Sequence, residues 1–146
     1  MSKNPLSLIL VEIQFLSLIF VFLTGPVIAL GIPLMLEIIA IMLGSWSVFI
    51  MQKESKLSIT PEVKHGSKLL KEGPYKYIRH PMYSTLLLLV FSLVLNFFTF
   101  QRLGLLLILL IDLLLKISIE ENFLERHFKD YGEYRKHTKK LAPFVY

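Results

Sequence analysis

Two short stretches of this chain carry residue types able to bind and act on a charged ligand. The first is Gly73-Pro74-Tyr75-Lys76-Tyr77-Ile78-Arg79-His80-Pro81-Met82-Tyr83. Proline suits the first turn of a helix, where its missing N–H costs nothing, and it pushes the preceding residue towards an extended conformation. Pro81 is therefore expected to start a helix, with Arg79 and His80 on its N-terminal lip. The free amides and positive dipole end of such a lip attract anions, and a guanidinium and an imidazole add to the attraction. Tyr75, Tyr77 and Tyr83 supply aromatic faces and hydroxyls. The second stretch is Lys116-Ile117-Ser118-Ile119-Glu120-Glu121. Neighbours on a helix point about 100° apart, so one carboxylate can face inward while the other runs along the rim. Alone, each stretch has a plain structural explanation: headgroup anchors with interfacial tyrosines in the first, a solvated helix surface in the second. Two acids on a boundary crowded with Lys and Arg nevertheless need a cationic partner, either a ligand or Arg79 itself.

Apolar helices must position these groups. Hydrophobic residues make up 54% of the 146, and the mean hydropathy is +0.61. A bilayer core about 30 Å thick takes roughly 20 apolar helical residues. Four stretches approach that length: Leu6 to Leu23, Val27 to Met51, Met82 to Phe100 and Leu103 to Ile119. The short linkers Thr24-Gly25-Pro26 and Gln101-Arg102 fold them as two hairpins. The first stretch exceeds the apolar run of a signal peptide and lacks a small-x-small cleavage site near Gly25, so it is expected to be retained. Of the 16 Lys and Arg, all but Lys3 and Arg102 lie between the second and third spans or from Lys116 onward. The positive-inside rule then puts the central loop and both termini in the cytoplasm. It also accounts for the net charge of +5 without a nucleic-acid partner. The absence of cysteine excludes a disulfide framework or a thiolate metal site, and the four His are too scattered for zinc.

The expected fold is an all-α integral membrane domain over 1–146. It comprises an N-terminal hairpin (1–51), a cytoplasmic loop with one short helix (52–81), a C-terminal hairpin (82–119) and a cytoplasmic amphipathic tail helix (120–146). Phe123, Leu124, Phe128 and Tyr131 recur at helical spacing, which extends the fourth helix to about Gly132. The second hairpin returns Arg79-His80 and Glu120-Glu121 to one membrane level, since both lie nearly equidistant from Gln101. A cationic lip beside two carboxylates suits an amino-acid zwitterion with a further positive charge. S-adenosylmethionine has a carboxylate, an ammonium, a sulfonium and ribose hydroxyls in one molecule.

Over roughly Leu69 to Phe144 the sequence resembles the isoprenylcysteine carboxyl methyltransferase and phospholipid methyltransferase group of membrane enzymes. The shared pattern is Gly-Pro-Tyr, Arg-His-Pro-x-Tyr, a helical hairpin, Glu-Glu, spaced tyrosines and a late proline. Here these are Gly73-Pro74-Tyr75, Arg79-His80-Pro81-Met82-Tyr83, Glu120-Glu121, Phe128, Tyr131, Tyr134 and Pro143-Phe144. The resemblance implies an S-adenosylmethionine site lined by Tyr75, His80 and Tyr83, with Glu120 and Glu121 holding polar groups of the cofactor. It implies a cytoplasmic cap, a lipophilic or lipidated substrate entering from the bilayer, and Arg79 as the residue that orients the acceptor. No metal and no obligate protein partner is implied. Two departures stand out: Thr85 where the group usually has Gly, and Phe128-Lys129-Asp130-Tyr131 without the common Phe-Gly start.

Methyl transfer from a sulfonium is an in-line displacement. A carboxylate acceptor is already ionised and needs no base, whereas an amine must lose a proton, with Glu120 or Glu121 the nearest base. The favoured acceptor is an isoprenylcysteine-like carboxylate, with a phospholipid amine as the other choice. An NADPH-dependent sterol reductase shares similar Pro-Tyr and Arg-His-Pro patterns but is generally longer and lacks the Glu pair. A non-catalytic membrane subunit would bind neither cofactor. Among the remaining polar groups, Asp112 and Lys116 are one turn apart and are expected to pair. Glu37 is expected to play a structural role beside a kink at Pro33. Glu12, Gln14, Trp46 and Asn96 are read as packing or interface residues.

Overall fold

The computed structural model describes residues 5–54 and 69–142. Five α-helices follow one another there: α1 Pro5–Leu23, α2 Ile32–Glu54, α3 Pro81–Asn96, α4 Phe100–His127 and α5 Tyr131–His137, with a 3-10 turn over Gly73–Lys76. The all-helical class matches the sequence expectation. The short helix expected in the central loop falls largely on residues 55–68, outside the described residues, as does Pro143-Phe144.

Several boundaries differ from expectation, each for a local reason. α2 begins at Ile32 instead of Val27, because Gly31 takes a positive φ of 68° and turns the chain first. Pro33 therefore sits in the first turn of α2, where no hydrogen bond is lost, and it is not a mid-helix kink. α3 stops at Asn96, short of Phe100. The turn into α4 is Phe97–Thr99 instead of Gln101-Arg102, and the Thr99 side chain caps α4 by accepting the Arg102 N–H at 3.2 Å. α4 runs unbroken past Glu120-Glu121 but ends at His127. Phe128 is extended there, and Tyr131 and Tyr134 fold back in a separate α5 that buries both rings. The tail is thus not one helix ending near Gly132.

Two helices, Pro5–Leu23 and Ile32–Lys53, are long and apolar enough to cross a membrane. They are not the core helices of a soluble fold, since Leu16 is 67% exposed, Ile32 73% and Met42 67%. Apolar surface this continuous is stable against hydrocarbon and not against water. α2 packs along α3, and α1 along α4, whereas α1 and α2 share no extended contact. The first two helices thus do not pack as a hairpin; the bends over 24–31 carry α2 away to α3.

The buried core joins α1, α3 and α4 through Val21, Val90, Leu93, Val94, Leu109 and Leu113. Arg102 closes its end and is 1% exposed. Its Nη1 donates to the Leu93 and Phe97 carbonyls, both at 2.8 Å, and its Nη2 to the Val21 carbonyl at 2.9 Å. Val21 lies in the last turn of α1 and Phe97 just beyond α3, where carbonyls lack intrahelical partners, and the Leu93 carbonyl is shared with the Phe97 N–H at 3.2 Å. Asp112 and Lys116 pair at 3.7 Å, as their spacing predicts. Glu37 is buried and accepts the Ala29 backbone N–H at 3.2 Å, a partner with no side-chain signature in the sequence.

α2 and α3 approach closely where Gly44 faces Thr85. A Cβ on Gly44 would stand 2.8 Å from Thr85 Cγ2, so the small residue allows the contact. Overpacking of this kind costs about 1–3 kcal/mol. Gly44→Ala is expected to lower the thermal midpoint in detergent by several degrees, and Gly44→Ala with Thr85→Ala to recover most of it. Additive losses in the double variant would contradict the contact.

Candidate functional site

The site is assembled from the 3-10 turn, the lip of α3, the last turns of α4 and the segment after α5. Gly73 has a φ of 57°. A Cβ there would meet Ile50 Cγ1 at 3.0 Å and Trp46 Nε1 at 3.1 Å, so glycine lets the turn sit directly on α2. Pro74 accepts the N–H groups of Tyr77 and Ile78 at 3.1 and 3.0 Å, and Tyr75 is buried beneath the turn. His80 follows as the residue before α3, with φ −124° and ψ 59°, and Pro81 is the first helical residue. The lip is less of an anion site than expected, since the Tyr83 and Ser84 amides both donate to the His80 carbonyl at 3.1 Å. Its charge selectivity rests on side chains.

Residues beyond α5 complete the lip. The Arg79 N–H donates to the Lys139 carbonyl at 2.8 Å, the His80 N–H to Lys140 at 3.1 Å, and the Lys139 N–H to Tyr77 at 3.0 Å. This short parallel pairing is reinforced by Arg79 Nη1, which donates to the carbonyls of Thr138 and, at 3.3 Å, Arg135. The Tyr134 hydroxyl donates to the Tyr75 carbonyl at 2.6 Å. The sequence reading placed a helix here. That tail helix of 120–146 rested on apolar spacing that ends at Tyr131, which was the hint against it.

Four charged side chains meet at the centre. Arg79 Nε donates to Glu121 Oε1 at 2.7 Å. The same oxygen lies 3.4 Å from His80 Nε2, while His80 Nδ1 lies 3.5 Å from Glu120 Oε2. The His80 ring stacks on Tyr83 with centroids 5.6 Å apart and planes 11° apart. The two acids diverge as helical geometry requires: the Glu121 side chain is 8% exposed and faces inward, and that of Glu120 is 30% exposed. Burial pulls the His80 imidazole towards neutrality, but Glu120 and then Glu121 outweigh it and hold its pKa above the ordinary value. Glu121 lies past the apolar run that ends at Ile119. Burial pushes its carboxyl up, and the neighbouring His80 imidazole and the Arg79 hydrogen bond outweigh this and hold it down at about 2. Burial, followed by the Glu120 charge, keeps the Tyr75 phenol protonated well beyond its usual range.

A cavity of about 310 Å³ opens beside this cluster, at the small end of the roughly 300–1,000 Å³ typical of ligand pockets. Tyr75, Arg79, His80, Tyr83 and Glu120 line its polar side, and Phe15, Val48, Met51, Met82 and Leu86 its apolar side. Thr85 and Gly44 border it as well. Of the six residues singled out from sequence, only Glu121 does not reach the cavity; it stands behind His80 and Arg79. The Tyr75 hydroxyl is buried without a hydrogen-bond partner. With Arg79 bound to Glu121 and His80 between the two acids, the cavity offers the partly exposed Glu120, one unpaired hydroxyl and an aromatic stack. Those groups fit a ligand with a positive centre and further polar groups, as in S-adenosylmethionine. Gln14, read from sequence as packing, also lines the cavity; its polarity within an apolar run was the available signal.

Comparison with protein families shows that a sequence model described as phospholipid methyltransferase matches residues 19–131. The matched stretch begins within α1 and contains Tyr75, the Arg79–Tyr83 motif and both Glu120 and Glu121. No curated protein matches the chain.

The paired charges set a pH window. His80 has a raised value in the fold, so the stability it contributes is complete below its ordinary 6.5 and is lost as pH climbs through the raised value. Glu121 acts in the opposite sense: its contribution is present above 4.5 and is lost as pH falls towards about 2. Thermal midpoints in detergent, scanned from acid to alkaline pH, are expected to be highest between these limits. His80→Gln should flatten the alkaline limb and Glu121→Gln the acid limb, with losses of several degrees at the plateau.

Proposed function

The chain belongs to the phospholipid methyltransferase family, and from that premise we propose that it is a membrane-embedded, S-adenosylmethionine-dependent methyltransferase acting on a lipophilic acceptor. The observation that carries this reading is the convergence of Tyr75, His80, Tyr83 and Glu120 on one cavity bordered by apolar helices. Glu120 would take the positive charge of the cofactor, and the unpaired Tyr75 hydroxyl would donate to its carboxylate or ribose. The stacked His80 and Tyr83 rings would provide a flat wall. Glu121 acts through its neighbours, fixing the His80 ring and the Arg79 guanidinium. When bound, S-adenosylmethionine supplies an electrophilic methyl group on a sulfonium.

The protein's task is then largely alignment, which can correspond to effective molarities of about 10⁵ M or more. The apolar wall of Phe15, Val48, Met51 and Leu86 keeps water from the acceptor. A carboxylate acceptor, favoured here, needs no base. Arg79 borders the cavity to orient it, although its Nε and Nη1 are committed to Glu121 and to the segment after α5. An amine acceptor would use Glu120 as base. In the bilayer, α3 and α4 add two spans to those of α1 and α2. At 16 residues α3 covers about 24 Å, short of a core about 30 Å thick, so Phe97-Phe98 and the lip would complete its span. The Lys and Arg around the lip and α5 support a cytoplasmic site and cytoplasmic termini by the positive-inside rule.

Calorimetric titration of detergent-purified protein tests the cofactor. Saturable binding of S-adenosylhomocysteine is expected, with none for NADPH. Glu120→Gln and Tyr75→Phe should weaken it about tenfold or more, or at least roughly 1.4 kcal/mol, and His80→Ala by more. Saturable NADPH binding without S-adenosylhomocysteine binding would replace this reading with a reductase.

A further inference from the structure

α1 contributes Gln14 and Phe15 to the cavity wall, and both precede residue 19, where the family match begins. Gln14 is the polar one of the two, and its orientation is set from behind. The fully buried Lys116 ammonium donates to Gln14 Oε1 and pairs with Asp112 at 3.7 Å. An ammonium has only donors to offer, so the amide oxygen is the end that faces Lys116. The opposite end of the amide is its NH2 group, with two donors. Asp112 makes no hydrogen bond through either oxygen, which leaves the ammonium as the charge directly against the amide. Contact with a cation in a low-dielectric setting polarises the amide and strengthens its N–H groups as donors.

Charge is therefore distributed unevenly around the cavity. At the lip, Arg79 and His80 are set against Glu121 and Glu120, whereas Gln14 stands on the α1 wall among apolar side chains. We propose that the Gln14 amide, held by Lys116, is the binding point for an anionic oxygen of the methyl acceptor, a carboxylate or a phosphodiester, whose lipid tail lies on the Phe15 side of the cavity. The proposal rests on the methyltransferase reading and specifies the acceptor's chemistry. Gln14 is in this respect a specificity residue, and Lys116 a positioning residue that acts through it.

Three amphiphilic probes separate the possibilities: S-farnesylthioacetic acid, lysophosphatidylethanolamine and farnesylamine, which lacks an anionic oxygen. Each is titrated calorimetrically against the full chain in detergent, with and without S-adenosylhomocysteine. Wild type is expected to bind at least one of the two anionic probes. Gln14→Leu should weaken that probe about tenfold while farnesylamine and S-adenosylhomocysteine bind as before, and whichever anionic probe is weakened identifies the oxygen. Gln14→Met, closer in shape, repeats the measurement should Gln14→Leu fold poorly. Lys116→Met should produce a similar selective loss by freeing the amide to turn. Unchanged affinity for both anionic probes, equal weakening of farnesylamine, or no binding of either anionic probe to wild type overturns the proposal. Failure of S-adenosylhomocysteine to bind wild type would instead count against the methyltransferase reading.

Discussion

One buried guanidinium ties together three parts of the chain that are far apart in sequence. Arg79 belongs to the lip of α3, its Nε is neutralised by Glu121 near the end of α4, and its Nη1 holds the segment that follows α5. A charge removed from water is tolerable only when paired and hydrogen-bonded, so the lip cannot form without both partners. That requirement explains why the segment after α5 runs beside Tyr77–His80 instead of continuing as a helix. It also explains why Glu121 is held so strongly ionised.

The two adjacent acids divide their work because a helix sends neighbours in different directions. Glu121 is spent on structure, binding Arg79 and approaching His80, and the arrangement frees Glu120 to face the cavity. His80 lies between them with one ring nitrogen towards each, so the two functions remain coupled through a single imidazole. The apolar lining of the cavity is set by helix packing. Gly44 and Thr85 bring α2 against α3 and border the same cavity. Thr85, the position where the related group usually has glycine, finds its room in a glycine on the neighbouring helix.

Much of the site could be read from the sequence because its cues are local. Pro81 announces the start of α3, although His80 before it, at ψ 59°, stops short of the extended conformation expected, and the adjacent Glu120-Glu121 on a helix must diverge. The all-helical class follows from apolar runs alone. Which helices pack together did not, since α1 and α2 are mostly apolar and the few polar residues on their packed sides, such as Ser7 and Ser17 on α1 and Ser47 on α2, do not name a partner helix. Pairings to backbone groups were equally silent. Glu37 finds the Ala29 amide, Arg102 finds three carbonyls, and Lys139 and Lys140 find the main chain of Tyr77, Arg79 and His80. A main-chain acceptor leaves no letter in the sequence.

The Arg102 contacts reach across helices whose lengths are otherwise independent. Carbonyls from α1, from α3 and from the residue just beyond α3 converge on one rigid planar fork. Adding or deleting one residue in either helix would displace its carbonyl by about 1.5 Å along the axis and about 100° around it. The fork thus serves as a gauge of register, tolerant of substitution on the lipid-facing sides yet intolerant of insertions and deletions. Drift in these helices is free to change composition but not count.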